Sequence, residues 1–372
     1  MKGQWVGSYE GTTQGTIVVN VDDRGRYFQA VAHLFEADSR FPHSLAFFRT
    51  ADKAEQFKSR TYEIQAFDPE THFFNPWNIV KQRFGSDITF SQYADVEGHW
   101  NETHLTLTWT TDTGLNNTAA LMHSQADQPS ELMPIEKTWS TYKEYLATLK
   151  DQPFLFRGQR NPWRLRTSFH RRSRADLVRF IREDIPALHR HLSATTRHVF
   201  NLNIPDQVGS FYNLIQHHGY PTPLLDWTYS PYVAAFFAYR KVSSKGAAAA
   251  MSKDKVRIHV FDQENWRKDA AQILMVVSPL MHVTIGEFIA IENQRMIPQQ
   301  AASMVTNVDD IETYIRTVEQ RNAKVYLSAI DLPVAERDQV VRDLRYMGIT
   351  AGSLFPGLDG ACEELAERNF QD

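Results

Sequence analysis

The sequence predicts two unlike folds in succession: an all-β sandwich or barrel over residues 1–124 and an α+β domain over residues 138–372, joined by a linker at 125–137. Three observations carry this. Residues 103–111 alternate strictly, with Leu105, Leu107 and Trp109 on one face and Thr106, Thr108 and Thr110 on the other. That period of two marks a half-buried antiparallel strand. Residues 175–218 follow a helical period instead. Between the two patterns, Ala126-Asp127-Gln128-Pro129-Ser130-Glu131 has the composition of a linker.

In chain order, Gly3, Gly7, Gly11 and Gly15 punctuate the start, and a strand at Thr16-Ile17-Val18-Val19-Asn20-Val21 runs into the turn Asp22-Asp23-Arg24-Gly25. A second strand follows through Tyr27-Phe28-Gln29-Ala30-Val31. Trp5, Trp100 and Trp109 are expected in the core of this half, with an aromatic ligand-binding face as the alternative. After the linker, Thr141 and Glu144 are expected to form a capping box. The helix it opens runs through Lys150, with Tyr142, Tyr145, Leu146 and Leu149 on one face. Phe154-Leu155-Phe156-Arg157-Gly158 is a short strand that ends in an arginine. Further strands are expected at 256–261 and 324–330, while 284–291 is apolar but ambiguous. A last helix starts at Pro333 and stops at Gly348, a left-handed terminator. Strands and helices do not alternate strictly, so the second half is α+β rather than α/β.

At 372 residues the chain suits two cores, and 42% apolar against 23% charged residues is ordinary globular usage. A net charge of −4 argues against wholesale coating of nucleic acid but leaves room for a local basic patch. Arg157, Arg160, Arg164, Arg166, Arg171, Arg172 and Arg174 form a dense run with Trp163 and His170 interleaved, which carries the reading of an RNA or DNA strand as partner. Its competitor is a solvated surface. The single cysteine, Cys362, excludes an internal disulfide framework and a cysteine-based zinc finger. His217-His218 lacks a third ligand at suitable spacing, so no metal is expected. No apolar run reaches the roughly 20 residues of a membrane span. The first residues lack a signal-peptide core, and the expectation is a cytoplasmic protein with no membrane partner. Nucleophile-elbow, Walker and dinucleotide-fold motifs are all missing from the sequence.

Three blocks resemble the FRG domain family, named for the triplet standing here as Phe156-Arg157-Gly158. The first continues through Gln159, Trp163, Leu165, Thr167-Ser168 and Arg171. The second is His217-His218-Gly219-Tyr220-Pro221-Thr222-Pro223-Leu224-Leu225-Asp226-Trp227-Thr228-Tyr229-Ser230-Pro231, running into Val233-Ala234-Ala235-Phe236-Phe237-Ala238. The third joins Arg295-Met296-Ile297-Pro298-Gln299-Gln300 to Gly348-Ile349 and Leu354-Phe355-Pro356-Gly357-Leu358-Asp359-Gly360. Pro223 stands where the family has arginine, and Ala301 and Ser303 where it has glycine and an aromatic. Block order also resembles, at greater distance, the ADP-ribosyltransferase superfamily. In that comparison Arg157 is the first element, Thr228 and Ser230 the second, and Gln299 stands where a glutamate is usual.

These resemblances imply an NAD-dependent ADP-ribosyltransferase acting on RNA, DNA or protein, of the kind found in bacterial toxins and antiviral-defence effectors, with an antitoxin or regulatory partner. The alternative is a noncatalytic module that senses a nucleotide or nucleic acid. Arg157, Thr228, Ser230 and Gln299 are the implied catalytic set, and Arg157, Gly158, Gln159, Asp226, Trp227 and Thr228 the implied NAD-binding set. Arginine suits a pyrophosphate because its planar fork pairs with two oxygens at once. Ser230 before Pro231 reads independently as a helix N-cap, whose free amides suit a phosphate. Trp227 is either a stacking platform or a core residue. Asp226 is expected to orient Arg157 by a bidentate pair. Because Gln299 carries no charge, Glu287, Glu292 and Glu363 are the candidates to supply a carboxylate against the positive charge that builds on ribose.

Overall fold

The computed structural model describes residues 1–85, 87–149 and 154–370. Its amino-terminal part is a ten-stranded antiparallel sheet. The strands are β1 (Gly3–Gly11), β2 (Gly15–Asp23), β3 (Phe28–Glu36), β4 (Ser44–Arg49), β5 (Gln56–Arg60), β6 (Glu63–Phe67), β7 (Phe74–Asn75), β8 (Ala94–Trp100), β9 (His104–Thr111) and β10 (Asn116–His123). They lie in the order β5-β8-β9-β10-β1-β2-β3-β4-β6-β7. The sheet curls on itself until Ser59 Oγ on β5 donates to the Arg49 carbonyl on β4 at 2.8 Å, but among the described residues no ladder closes it into a barrel. Leu105, Leu107 and Trp109 of β9 are buried inside the curl while Thr106, Thr108 and Thr110 face water. Trp5 is in the same core, and Trp100 packs against it from a partly buried position.

The remaining strands form a seven-stranded sheet: β11 (Ile135–Glu136), β12 (Phe154–Gln159), β13 (Leu224–Thr228), β14 (Lys255–Asp262), β15 (Val283–Gly286), β16 (Ala301–Thr306) and β17 (Leu327–Pro333). Their order is β11-β17-β14-β12-β13-β16-β15, antiparallel except for β11 on β17. The whole chain is α+β. One face, through Phe156, Ile258, Val260 and Ile330, packs on the helices Trp139–Thr148, Pro231–Tyr239 and Arg337–Tyr346. The other, through Leu155, Leu225, Trp227, Phe261 and Met304, packs on Gln263–Asp269 and Ile311–Asn322. A third apolar cluster lies under the helices Ile185–Leu192 and Pro205–His217.

Two local expectations shift. The helix after the linker opens at Trp139, one turn earlier than expected, because Thr138 and Thr141 form the capping box and Glu144 takes no part. Lys150, its expected last residue, is outside the described residues. Pro333 ends β17 rather than starting a helix, and a single 3₁₀ turn, Val334–Glu336, precedes the helix Arg337–Tyr346. Gly348 does terminate it, with φ +75°.

Polar groups hold the two sheets together. The Asp22 carboxylate, 1% exposed, accepts from Arg174 Nε at 2.8 Å and Arg179 Nη1 at 2.9 Å, and also from the main-chain amides of Ala175 and Asp176. Gln4 donates to the Asn307 carbonyl at 2.8 Å and accepts from the Asp309 amide at 3.0 Å. A small apolar patch of Val31, Leu45 and Phe47 meets Val178 and Val277. The linker is tied to the carboxy-terminal part as well. Buried Arg164 donates to Pro129 O and Glu131, and Glu312 accepts from Ser130 and from the Glu131 amide.

Candidate functional site

β12 and β13 run side by side yet share only the register pair Phe156 and Thr228. Beyond that point they part, and a cavity of about 300 Å³ opens where they diverge. Arg157, on β12, reaches into the gap, and its Nη1 donates to the main-chain carbonyl of Asp226 on β13. The guanidinium therefore satisfies a carbonyl that has no ladder partner on β12. Half-buried Arg157 keeps an enclosed Nε without a hydrogen-bond partner. Burial first, and then nearby Arg171, lower its pKa while Asp226 opposes both, which leaves it at about 10, so the group stays charged at neutral pH.

Arg157, Gly158, Asp226, Trp227, Thr228 and Gln299 all line this cavity. Ser230 and Gln159 do not. Ser230 Oγ accepts from the Val233 amide at 3.2 Å as the N-cap of Pro231–Tyr239, and neither Ser230 nor Pro231 reaches the cavity wall. Gln159 is buried and donates to the Trp163 carbonyl at 2.9 Å.

Several of these side chains are already engaged within the protein. Asp226 does not form the bidentate pair with Arg157. Its Oδ1 accepts from Gln216 Nε2, because β13 presents its carbonyl, not its carboxylate, to the arginine. Thr228 Oγ1 donates to the Gln299 carbonyl at 2.7 Å and accepts from the Ser230 amide, which fixes the corner between strand and helix. Gln299 Nε2 donates to the Leu354 carbonyl at 2.9 Å, tying together the two loops that close the far wall. The Trp227 indole is buried against Phe261, with ring centroids 5.6 Å apart, as the core alternative expects. Gly158 serves the packing. A Cβ there would lie 1.8 Å from the Ala234 carbonyl, so only glycine lets the alanine-rich helix Pro231–Tyr239 rest on β12.

None of the three glutamates proposed as a substitute carboxylate lines the cavity. Glu287 pairs with Arg267 at 2.7 Å, Glu363 with Arg240 at 2.5 Å, and Glu292 accepts from the His198 amide. Asp226 is the carboxylate among the described lining residues. Gln216, His217, Arg295 and Phe355 join the lining without having been singled out for it. Arg295 Nη1 donates to the His217 carbonyl at 2.6 Å, and its guanidinium lies 5.4 Å from the centre of the Phe355 ring. The signal for these residues was present, because His217 opens the second sequence block, Arg295 opens the third and Phe355 lies within it. What was missing was the reason to bring the blocks together.

The arginines of the basic run differ in their surroundings. Arg164 pairs with Asp310 at 2.7 Å and with Glu131. Arg166 pairs with Asp309 at 2.5 Å, and Arg174 with Asp22 and Asp184. His170 is fully buried, and burial lowers its pKa to about 4. Arg160, Arg171 and Arg172 remain exposed. His217 Nδ1 pairs with Asn293 Oδ1 at 2.8 Å, and no three His, Cys, Asp or Glu side chains gather at metal-binding distance among the described residues. No helix among them is long and apolar enough to cross a membrane.

Comparison with known families finds a match for one segment. Residues 152–247 match the FRG domain. The FRG segment contributes Arg157, Gly158, Gln216, His217, Asp226, Thr228 and Phe237 to the cavity, while Arg295, Gln299 and Phe355 come from chain beyond it. No curated protein matches the chain. Among solved structures, it is similar to a redesigned β-barrel, mFAP1, bound to DFHBI, at 13% identity and TM-score 0.23 over 33% of this chain and 94% of that one. It is also similar to a fluorescence-activating β-barrel of de novo design, at 12% identity and TM-score 0.21 over the same shares.

Proposed function

We propose that the cavity beside Arg157 binds NAD and that the protein transfers ADP-ribose to a macromolecular acceptor, RNA, DNA or protein. The observation that carries this is the pairing of two arginines, Arg157 and Arg295, with one carboxylate, Asp226, on the walls of a cavity of about 300 Å³. That volume is at the small end of ligand pockets and suits the pyrophosphate and nicotinamide ribose better than the whole dinucleotide. The arginines would hold the phosphates in bidentate pairs, and the low-dielectric surroundings of Arg157 strengthen such a contact. Asp226 would face the ribose as positive charge develops there. The bond from ribose C1′ to the nicotinamide nitrogen breaks, with the electron pair leaving on nicotinamide. A bond from C1′ to the acceptor nucleophile forms, and the acceptor's proton passes to a base. Thr228 and Gln299 support this as the scaffold that holds β13 and the two loops around the ligand. A role as a toxin or defence effector, with a regulatory partner, belongs to the same reading.

A second reading, a noncatalytic nucleotide sensor, is favoured by one observation. The Gln299 amide and the Thr228 hydroxyl are both spent on main-chain carbonyls, which leaves Asp226 without a second catalytic group fixed beside it. Incubation with NAD labelled in the adenylate moiety, with protein, RNA and DNA acceptors supplied, separates the two. Label transferred to an acceptor together with released nicotinamide supports transfer. Saturable NAD binding without release supports the sensor. Neither binding nor release overturns both readings.

A further inference from the structure

A second cavity, of about 110 Å³, lies inside the curl of the amino-terminal sheet, far in sequence from the FRG segment. Its walls come from both arms of the curl. Ile17, Leu34 and Phe48 line one side, and Val96, Leu107 and Trp109 the other. Ala32, Ala46 and Ala94 also line it, and it is these small side chains that leave the space open. Protein cores normally close such a space, because an unfilled apolar volume costs stability in proportion to its size.

The lining is not uniformly apolar. Glu36, at the end of β3, enters it beside Thr13 and Asn117. Glu36 Oε1 accepts from the Thr13 hydroxyl at 3.4 Å, and the buried Oε2 has no hydrogen-bond partner. The Tyr9 hydroxyl is close enough to interact with this carboxyl but makes no bond of normal length. A carboxylate oxygen enclosed without a donor at normal length is costly, and a donor brought into the cavity, by water or by a ligand, would relieve it. Burial raises the Glu36 pKa, and the contacts with the Tyr9 and Thr13 hydroxyls oppose that shift.

We propose that this cavity is a binding site for a small aromatic amine, with a single ring among the alkyl and aromatic walls and its N–H donated to Glu36. The size limits the ligand to one ring, since apolar cavities near 150 Å³ accommodate benzene. The acceptor at one end selects a donor-bearing ring over a hydrocarbon. Phe41 and Pro42, with Ile88 and Phe90, line the cavity from segments between strands, so loops form part of its wall.

Aniline and toluene have nearly the same shape and differ in the donor, which makes them the probes. In calorimetric titrations of the full chain, run at a pH where Glu36 is ionised, aniline should bind about tenfold more tightly than toluene, the ratio expected for one hydrogen bond to a charged acceptor. Glu36→Met should abolish that preference while leaving toluene binding in place. Ala46→Leu, which fills the space from a half-buried wall position, should remove binding of both. If circular dichroism shows that Ala46→Leu is unfolded, Ala32→Val makes the same test with a smaller addition. Absence of saturable binding by either probe, equal affinity for the two in the unmodified protein, or aniline binding that survives the filling substitutions would each overturn the assignment.

Discussion

Arg157 Nη1 donates to the main-chain carbonyl of Asp226, bridging β12 and β13 beside the one register pair those strands share, Phe156 with Thr228. The contact does two things at once. It satisfies a carbonyl where the sheet splits, and it places a charged fork at the space that the split creates.

Removing that fork should weaken NAD binding by about tenfold or more, because charge-assisted hydrogen bonds contribute roughly 1.5–3 kcal/mol each. Arg157→Lys should recover little of it, since an ammonium is a point charge without the planar fork that pairs with two phosphate oxygens at once. Calorimetry with NAD on the two variants checks this. Lysine binding as tightly as arginine would mean that charge alone matters there.

Asp226→Asn tests the carboxylate. It keeps a hydrogen-bonding partner for Gln216 and removes the negative charge, so binding of NAD should change little while nicotinamide release falls by about 10²-fold, the scale of losing one well-placed electrostatic contact. Rates of nicotinamide release at saturating NAD decide it. An unchanged rate would move the catalytic charge elsewhere.

Gly158→Ala should destabilise the protein by about 1–3 kcal/mol or more, through overpacking rather than through the ligand. The added carbon meets the Ala234 carbonyl at 1.8 Å and must push the helix Pro231–Tyr239 away from β12. Chemical denaturation measures it, and a variant as stable as the parent would show that the helix can shift freely.

The seam between the sheets should respond to pH through Asp176. Burial first, and then the neighbouring Asp22 charge, raise its pKa to about 6. A carboxyl whose folded pKa exceeds its unfolded value near 4 stabilises the fold when protonated. Its contribution is complete below about pH 4 and is lost as pH rises through 6. Asp176→Asn keeps the N-cap to the Arg179 amide and should flatten the stability profile between pH 4 and 6 by on the order of 1–3 kcal/mol. Denaturant midpoints at pH 4, 5, 6 and 7 provide the comparison. A parallel profile in the variant would assign the pH dependence to other groups.

We propose a domain boundary within residues 124–138, and proteolysis tests it. Arg164 holds the Pro129 carbonyl and the Glu131 carboxylate, so cleavage of the parent should be slow and Arg164→Ala should accelerate it. Loss of this buried arginine also leaves Asp310 short of a partner, a change that typically costs about 3–5 kcal/mol. The cut fragments should stay associated through Asp22, Arg174 and Arg179 until salt or denaturant is raised. Fragments that unfold on cleavage would show a shared core instead.

The sequence by itself determined the elements whose signal is local. Strict alternation from Leu105 to Trp109 was enough for β9, because one residue in two must face the core of a half-buried sheet. Ser230 before Pro231 was enough for the start of a helix, since cap and first turn lie within four residues. The triplet at Phe156 and the long block around Asp226 were enough to place the FRG segment. Tertiary structure decided everything that depends on which strand lies beside which. That β12 leaves β13 after a single pair, that Arg157 takes a carbonyl rather than the Asp226 carboxylate, and that Trp227 is buried against Phe261 are consequences of register. A shift of one residue would reverse every side chain, and no local pattern records it. Most of the basic run was likewise settled at long range. Arg164, Arg166 and Arg174 are spent on Asp310, Asp309 and Asp22, carboxylates brought to them only when helices, loop and the distant first sheet pack together and exclude the water that would otherwise have paired with those charges.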